Sequence, residues 1–120
     1  MPNATLVNIF GTGASVTTGA DPTLTTKYSG QATAGWNAII AGDEANPWKW
    51  FTSILFNAKA YYAALSDNDK ATQNVVVQQS SFNGVALETR GNQIYRKYSY
   101  TVEIYELDTG ASNFDPDRVS

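Results

Sequence analysis

"NVVVQQSSFNGVALETRGNQIYRKYSYTVEIYEL", Asn74 to Leu107, is the stretch whose reading decides the fold. Asn74 to Phe82 is β-branched and meets Asn83-Gly84. That dipeptide is the strongest short hairpin signal, because both residues tolerate positive φ. Val85 to Arg90 follows, Gly91-Asn92 offers a second tight turn, and Gln93 to Leu107 comes next. The pattern predicts a three-stranded antiparallel meander. A competing register pairs the two long outer strands directly and leaves residues 83 to 92 as a loop.

The last of these strands alternates cleanly. One face carries Ile94, Arg96, Tyr98, Tyr100, Val102, Ile104 and Glu106. The other carries Gln93, Tyr95, Lys97, Ser99, Thr101, Glu103, Tyr105 and Leu107. The first is mostly apolar and the second mostly polar, the pattern of an antiparallel sheet with one solvated side. At about 3.3 Å per residue the run would span roughly 50 Å. A globule of this chain length has a diameter of roughly 35 Å. The hairpin register covers the strand only to about Tyr98. A partner is therefore expected for Ser99 to Leu107, in part the segment Thr5 to Phe10 and otherwise a neighbouring chain, by strand pairing or by packing on Tyr100, Val102 and Ile104.

Upstream, "NPWKWFTSILFNAKAYYAALSDNDK" reads as the main helix, about 47–65. Asn46 can cap it, and Pro47 sits at the first helical position, where no amide hydrogen is needed. Phe51, Leu55, Ala58, Tyr62 and Leu65 fall at helical spacing and are the expected core face. Trp50, Ile54 and Tyr61 widen the apolar stripe, and Lys49 and Lys59 mark the remaining side with Phe56 between them. So apolar a helix is usually buried on several sides. Lys59 in its interior argues against a membrane span.

Residues 1–42 contain two charged side chains, Asp21 and Lys27, and are rich in Thr, Gly and Ala. Disordered tails carry more charge. This part is expected to be extended or β, with strands at Thr5 to Phe10, Ser15 to Thr18 and Leu24 to Tyr28; Gly35 to Ala41 is ambiguous. Residues 109–120 read as an extended polar tail. The expected fold class is thus α+β in a single domain of residues 1–120: a mainly antiparallel sheet packed against one main helix.

Composition removes whole classes of function. The chain has no histidine and no cysteine. The commonest general base near neutral pH and the commonest metal ligand are missing, so Ser-His-Asp and Cys-His catalysis are excluded. The net charge of −3 and the pI near 4.7 argue against nucleic acid, which demands clustered Lys and Arg. "MPNATLVNIF" has neither a basic region nor a long apolar run, so synthesis in the cytosol without a secretory signal is expected. The sequon Asn3-Ala4-Thr5 then carries no meaning, and the later location stays open.

Four patterns suggest chemistry, and each has a plainer reading. Gly11-Thr12-Gly13 after an apolar run resembles the start of a dinucleotide fingerprint. That motif needs a third Gly or Ala where Val16 stands, followed by a helix. A glycine turn between strands is the better reading. Asp67-Asn68-Asp69 and Asp115-Pro116-Asp117 are thin for calcium, lacking the glycine and the distal glutamate of a binding loop. Glu88, Glu103 and Glu106 could in principle serve a glycosidase. However, Glu103 and Glu106 point to opposite faces, and Glu88, opposite Tyr95 with Lys97 diagonal, fits a surface ion pair. Trp36, Trp48, Trp50 and the run "YRKYSY" could stack on sugar or single-stranded nucleic acid. Aromatics are also what protein interfaces enrich.

The sequence therefore points to a non-enzymatic, self-assembling structural subunit without cofactor or metal. It would join a homo-oligomer or a larger particle, for which a virion or tail-like assembly is one natural setting. The candidate interface residues are Tyr98, Tyr100, Val102, Ile104, Trp48, Trp50 and Phe56. The expected partner is self or another structural subunit, not nucleic acid and not a membrane. The alternative is a small binding module for carbohydrate or protein, and a carboxylate-dependent hydrolase is the third reading.

Overall fold

The computed structural model describes residues 4–31, 45–80, 85–106 and 115–119. Trp36, Gly35 to Ala41, Asn83-Gly84 and the tail from Leu107 to Phe114 lie outside the described residues. The protein is α+β, and every strand pair among the described residues is antiparallel. Two compact units divide it, Met1–Leu65 and Ser66–Ser120.

The first unit opens with a helix, not the expected strand. Helix α1 spans Leu6–Phe10. "TLVNIF" reads as an apolar strand, but Thr5 and Asn8 form a reciprocal cap that decides otherwise. The Asn8 amide donates to Thr5 Oγ1 at 3.2 Å, and the Thr5 amide donates to Asn8 Oδ1 at 2.8 Å. Two amides that a helix start leaves without partners are thereby satisfied. Gly11 ends the helix at φ 95°, and its amide donates to Val7 O at 3.0 Å. After it, β1 (Ser15–Val16) and β2 (Leu24–Thr25) form a two-rung ribbon where short strands were expected.

Helix α2 spans Pro47–Ala63, with Asn46 capping the Trp48 amide at 3.0 Å and Pro47 in the first turn. It occupies the expected place, but its buried line is not the expected one. Ser53 and Asn57 are its buried residues, whereas Phe51 is exposed and Leu55, Ala58, Tyr62 and Leu65 are half-buried. At about 100° per residue the stripe Phe51, Leu55, Ala58, Tyr62 lies roughly opposite Ser53. Hydrogen bonding explains the difference. The C-terminal carbonyls of α1 need donors, and short polar side chains on α2 can approach closely enough to help supply them. Asn57 Nδ2 donates to Ile9 O at 3.0 Å. Gln31 Nε2 donates to Phe10 O at 2.7 Å and to Lys27 O at 3.1 Å, and Ser53 donates its hydroxyl to Gln31 Oε1. A buried polar network ties α1, Gln31 and α2 together in this unit.

That network also explains Gly11-Thr12-Gly13. The Thr12 amide donates to Gly30 O at 3.2 Å, and a Cβ on Gly30 would overlap the Thr12 carbonyl oxygen. The glycines permit two backbones to cross. A helix precedes them and a two-residue strand follows, the reverse of the strand–turn–helix order that a dinucleotide turn requires.

In the second unit, Ser66 caps the short helix α3, Asp67–Lys70. Strands β3 (Val75–Gln79), β4 (Val85–Arg90), β5 (Gln93–Tyr98) and β6 (Tyr100–Ile104) follow. The β4/β5 hairpin has the expected register, Glu88 opposite Tyr95, around a Gly91-Asn92 turn with Gly91 at φ 62°. The pairing is otherwise nested rather than sequential: β3 pairs with β6, not with β4. A tight turn at Asn83-Gly84 would have set Val77 opposite Arg90. The nested register sets Val77 opposite Val102 and Val75 opposite Ile104, the better cross-strand pairs. The run from Gln93 stays extended on both sides of Ser99, where it changes partner. Residues 100–104 thus pair with β3 of their own chain, and the segment expected to pair with them, Thr5 to Phe10, is helical instead. The segment after residue 114 contains a short turn, Pro116–Arg118, because Asp115 accepts from the Asp117 amide at 3.0 Å.

Candidate assembly interface

Directly opposed residues of an antiparallel pair share a face, so the register sorts the β4/β5 hairpin into two sides. One side is polar and bonded within itself. Glu88 and Lys97 form an ion pair at 3.8 Å, Arg90 lies over the Tyr95 ring at 5.6 Å, and the Tyr95 hydroxyl donates to Gln93 Oε1 at 3.2 Å. Both partners of the ion pair are about half-exposed, and exposed pairs are worth little. Glu88→Gln should lower stability by less than about 1 kcal/mol in a thermal melt.

The other side carries Leu87 opposite Arg96 and Thr89 opposite Ile94, with Tyr98 at its end. Leu87 is 72% and Ile94 73% exposed. All of β5 is exposed. The β3/β6 ladder has a matching face of Val75, Val77, Gln79, Tyr100, Val102 and Ile104. Here Val77 is buried, Tyr100 is half-buried, and Val75, Val102 and Ile104 are exposed. Val76 and Val77 are the buried hydrophobic residues among those described.

The helical candidates are placed differently. Trp48 is 71% exposed and meets the exposed Phe51 edge-on, ring centroids 6.1 Å apart. Trp50 and Phe56 are half-buried, and Lys59 Nζ stands 5.2 Å from the Phe56 ring centre. Tyr98, Val102 and Ile104 thus lie on strand faces in the second unit, and Trp48 lies on the first turn of a helix in the first. Leu87 was missed. The signal for it was present, because a two-residue turn at Gly91-Asn92 places Leu87 on the face of Ile94 and Tyr98.

The acidic candidates have local partners. Asp67 and Asp69 stand in the first turn of α3, and Asp69 donates its amide to the Ser66 hydroxyl at 3.3 Å. Glu106 Oε2 accepts from the Asp115 amide at 3.2 Å. Among the described residues no group of acidic side chains is arranged to hold a metal ion. No helix among them is long and apolar enough to cross a membrane. The chain matches no protein-family model, no curated protein and no solved structure.

Proposed function

We propose that this chain is a non-enzymatic, self-assembling structural subunit, a component of a homo-oligomer or a larger particle. The observation that carries the reading is the uncovered apolar face of the β4/β5 hairpin. An isolated two-stranded hairpin is marginally stable in water and needs a third strand or a packed face. Here one face is laced by polar contacts while Leu87 and Ile94 on the other stand open. Large aliphatic side chains gathered on one sheet face mark a contact surface more strongly than the same residues scattered singly. The absence of histidine and cysteine from the sequence supports a role outside catalysis.

Size-exclusion chromatography with light scattering, run from micromolar to near-millimolar protein, tests the reading. A mass above 13.0 kDa that rises with concentration is expected. A clean monomer throughout overturns self-assembly. The exposed Trp48–Phe51 pair favours a second reading, a binding module for carbohydrate. A monomer retained on a glycan array would select it.

A further inference from the structure

We propose, resting on the self-assembly reading, that the apolar face of the β4/β5 hairpin docks head to tail on the β3/β6 face of a second copy. The argument begins with charge. Arg96 stands on the middle rung of the hairpin face, opposite Leu87, and makes no ion pair among the described residues. The other described side chains of that face, Leu87, Thr89, Ile94 and Tyr98, include no carboxylate. Two such faces brought together about a twofold axis would enclose two guanidinium groups without a counter-charge. Burying an unpaired charge is costly. The hairpin face is therefore a poor match for itself, and an isologous contact through it is disfavoured.

A fitting occupant is apolar with acid at its rim, and the same chain carries one. The three rungs Gln79/Tyr100, Val77/Val102 and Val75/Ile104 hold no charge. Val75, Val102 and Ile104 on them are about half-exposed. Beyond Ile104 the chain runs into Glu106, whose carboxylate accepts from the Asp115 amide at 3.2 Å, and the exposed Asp117 follows. A basic apolar face and an acid-rimmed apolar face on one molecule make a heterologous contact that recurs from copy to copy. Each face measures roughly 20 Å by 10 Å on strand geometry. That is well below the roughly 800 Å² per partner of a stable isolated complex. The assembly therefore rests on two contacts per copy and depends steeply on concentration.

Light scattering of the full chain and of face-specific variants tests this. Ile94→Asp removes the hairpin face and Val102→Asp the receiving face. Each alone should stay monomeric at concentrations where the wild type assembles. Mixed at near-millimolar concentration, they should associate weakly one to one and raise the average mass above that of either variant alone, with no larger species, since each brings one intact face and a single contact of this area is weak. Arg96→Glu should raise the concentration needed for wild-type-like assembly by tenfold or more. Leu87→Asp and Ile104→Asp repeat the two arms if a first variant loses its cooperative melt. If either face variant assembles like the wild type, or if the near-millimolar mixture has the same average mass as the separate variants, the head-to-tail contact is wrong while self-assembly stands. A monomeric wild type overturns self-assembly itself.

Discussion

Gln31→Leu should destabilise the first unit by about 2–4 kcal/mol, although it exchanges a polar side chain for an apolar one of similar size at a site 1% exposed. Two effects compete. Burying leucine gains transfer free energy, about 2 kcal/mol for a full side chain. Against this, the partners of Gln31 remain. Phe10 O loses the donor at 2.7 Å, and the Ser53 hydroxyl, 0% exposed, loses its acceptor. Each buried polar group left unpaired costs about 1–3 kcal/mol, and Gln31's own bonds are forfeited as well. Lys27 O suffers less, because it also accepts from the Gly30 amide at 3.0 Å. The loss wins because one partner is backbone and cannot be removed. The double change Gln31→Leu with Ser53→Ala should recover part of the loss, since it deletes the stranded hydroxyl. Thermal melts of the three variants, with amide exchange at Phe10 and Gly11, check the prediction. A neutral Gln31→Leu would show that the network contributes specificity and no stability.

That network also shows where the sequence stopped being legible. Hydrophobic periodicity located helix α2 and its Asn46-Pro47 start correctly, because those signals are local. It misassigned the buried line, because Ser53 and Asn57 are buried for their hydrogen bonds to groups far off in sequence. The segment Leu6–Phe10 failed for a related reason. Its apolar run into Gly11-Thr12-Gly13 favoured a strand, while the Thr5–Asn8 cap, with asparagine in place of the usual acid or glutamine, is a weak sequence signal. The β4/β5 register was legible because Gly91-Asn92 fixes it within a few residues. The pairing of β3 with β6 was legible only as the competing register, and there with residues 83 to 92 as a loop, because the best local signal, Asn83-Gly84, competed with valine pairs formed across more than twenty residues. The apolar face of β5 and β6 was visible as parity, but which of its members are covered was not.

Coverage separates the two members of one rung. Val77 and Val102 oppose each other on the same face of the β3/β6 ladder, yet Val77 is 4% and Val102 48% exposed. Val77→Asp should unfold the second unit. It forces a carboxylate into a buried site whose rung and diagonal neighbours, Val75, Gln79, Tyr100, Val102 and Ile104, include no cation. An isolated buried charge costs several kcal/mol even after relaxation, and the lost valine burial adds about 1.5 kcal/mol or more. With typical domain stability of about 5–15 kcal/mol, the two together remove much of what such a unit has. Val102→Asp keeps its charge in water and should cost only about 1 kcal/mol, while blocking the contact proposed for that face. Thr101→Asp, on the opposite face beside Gln78, should be milder than either. Circular dichroism melts read the first effect and light scattering the second. Equal unfolding by Val77→Asp and Val102→Asp would mean that both sides of the rung serve the fold, and that the face is a core rather than a contact surface.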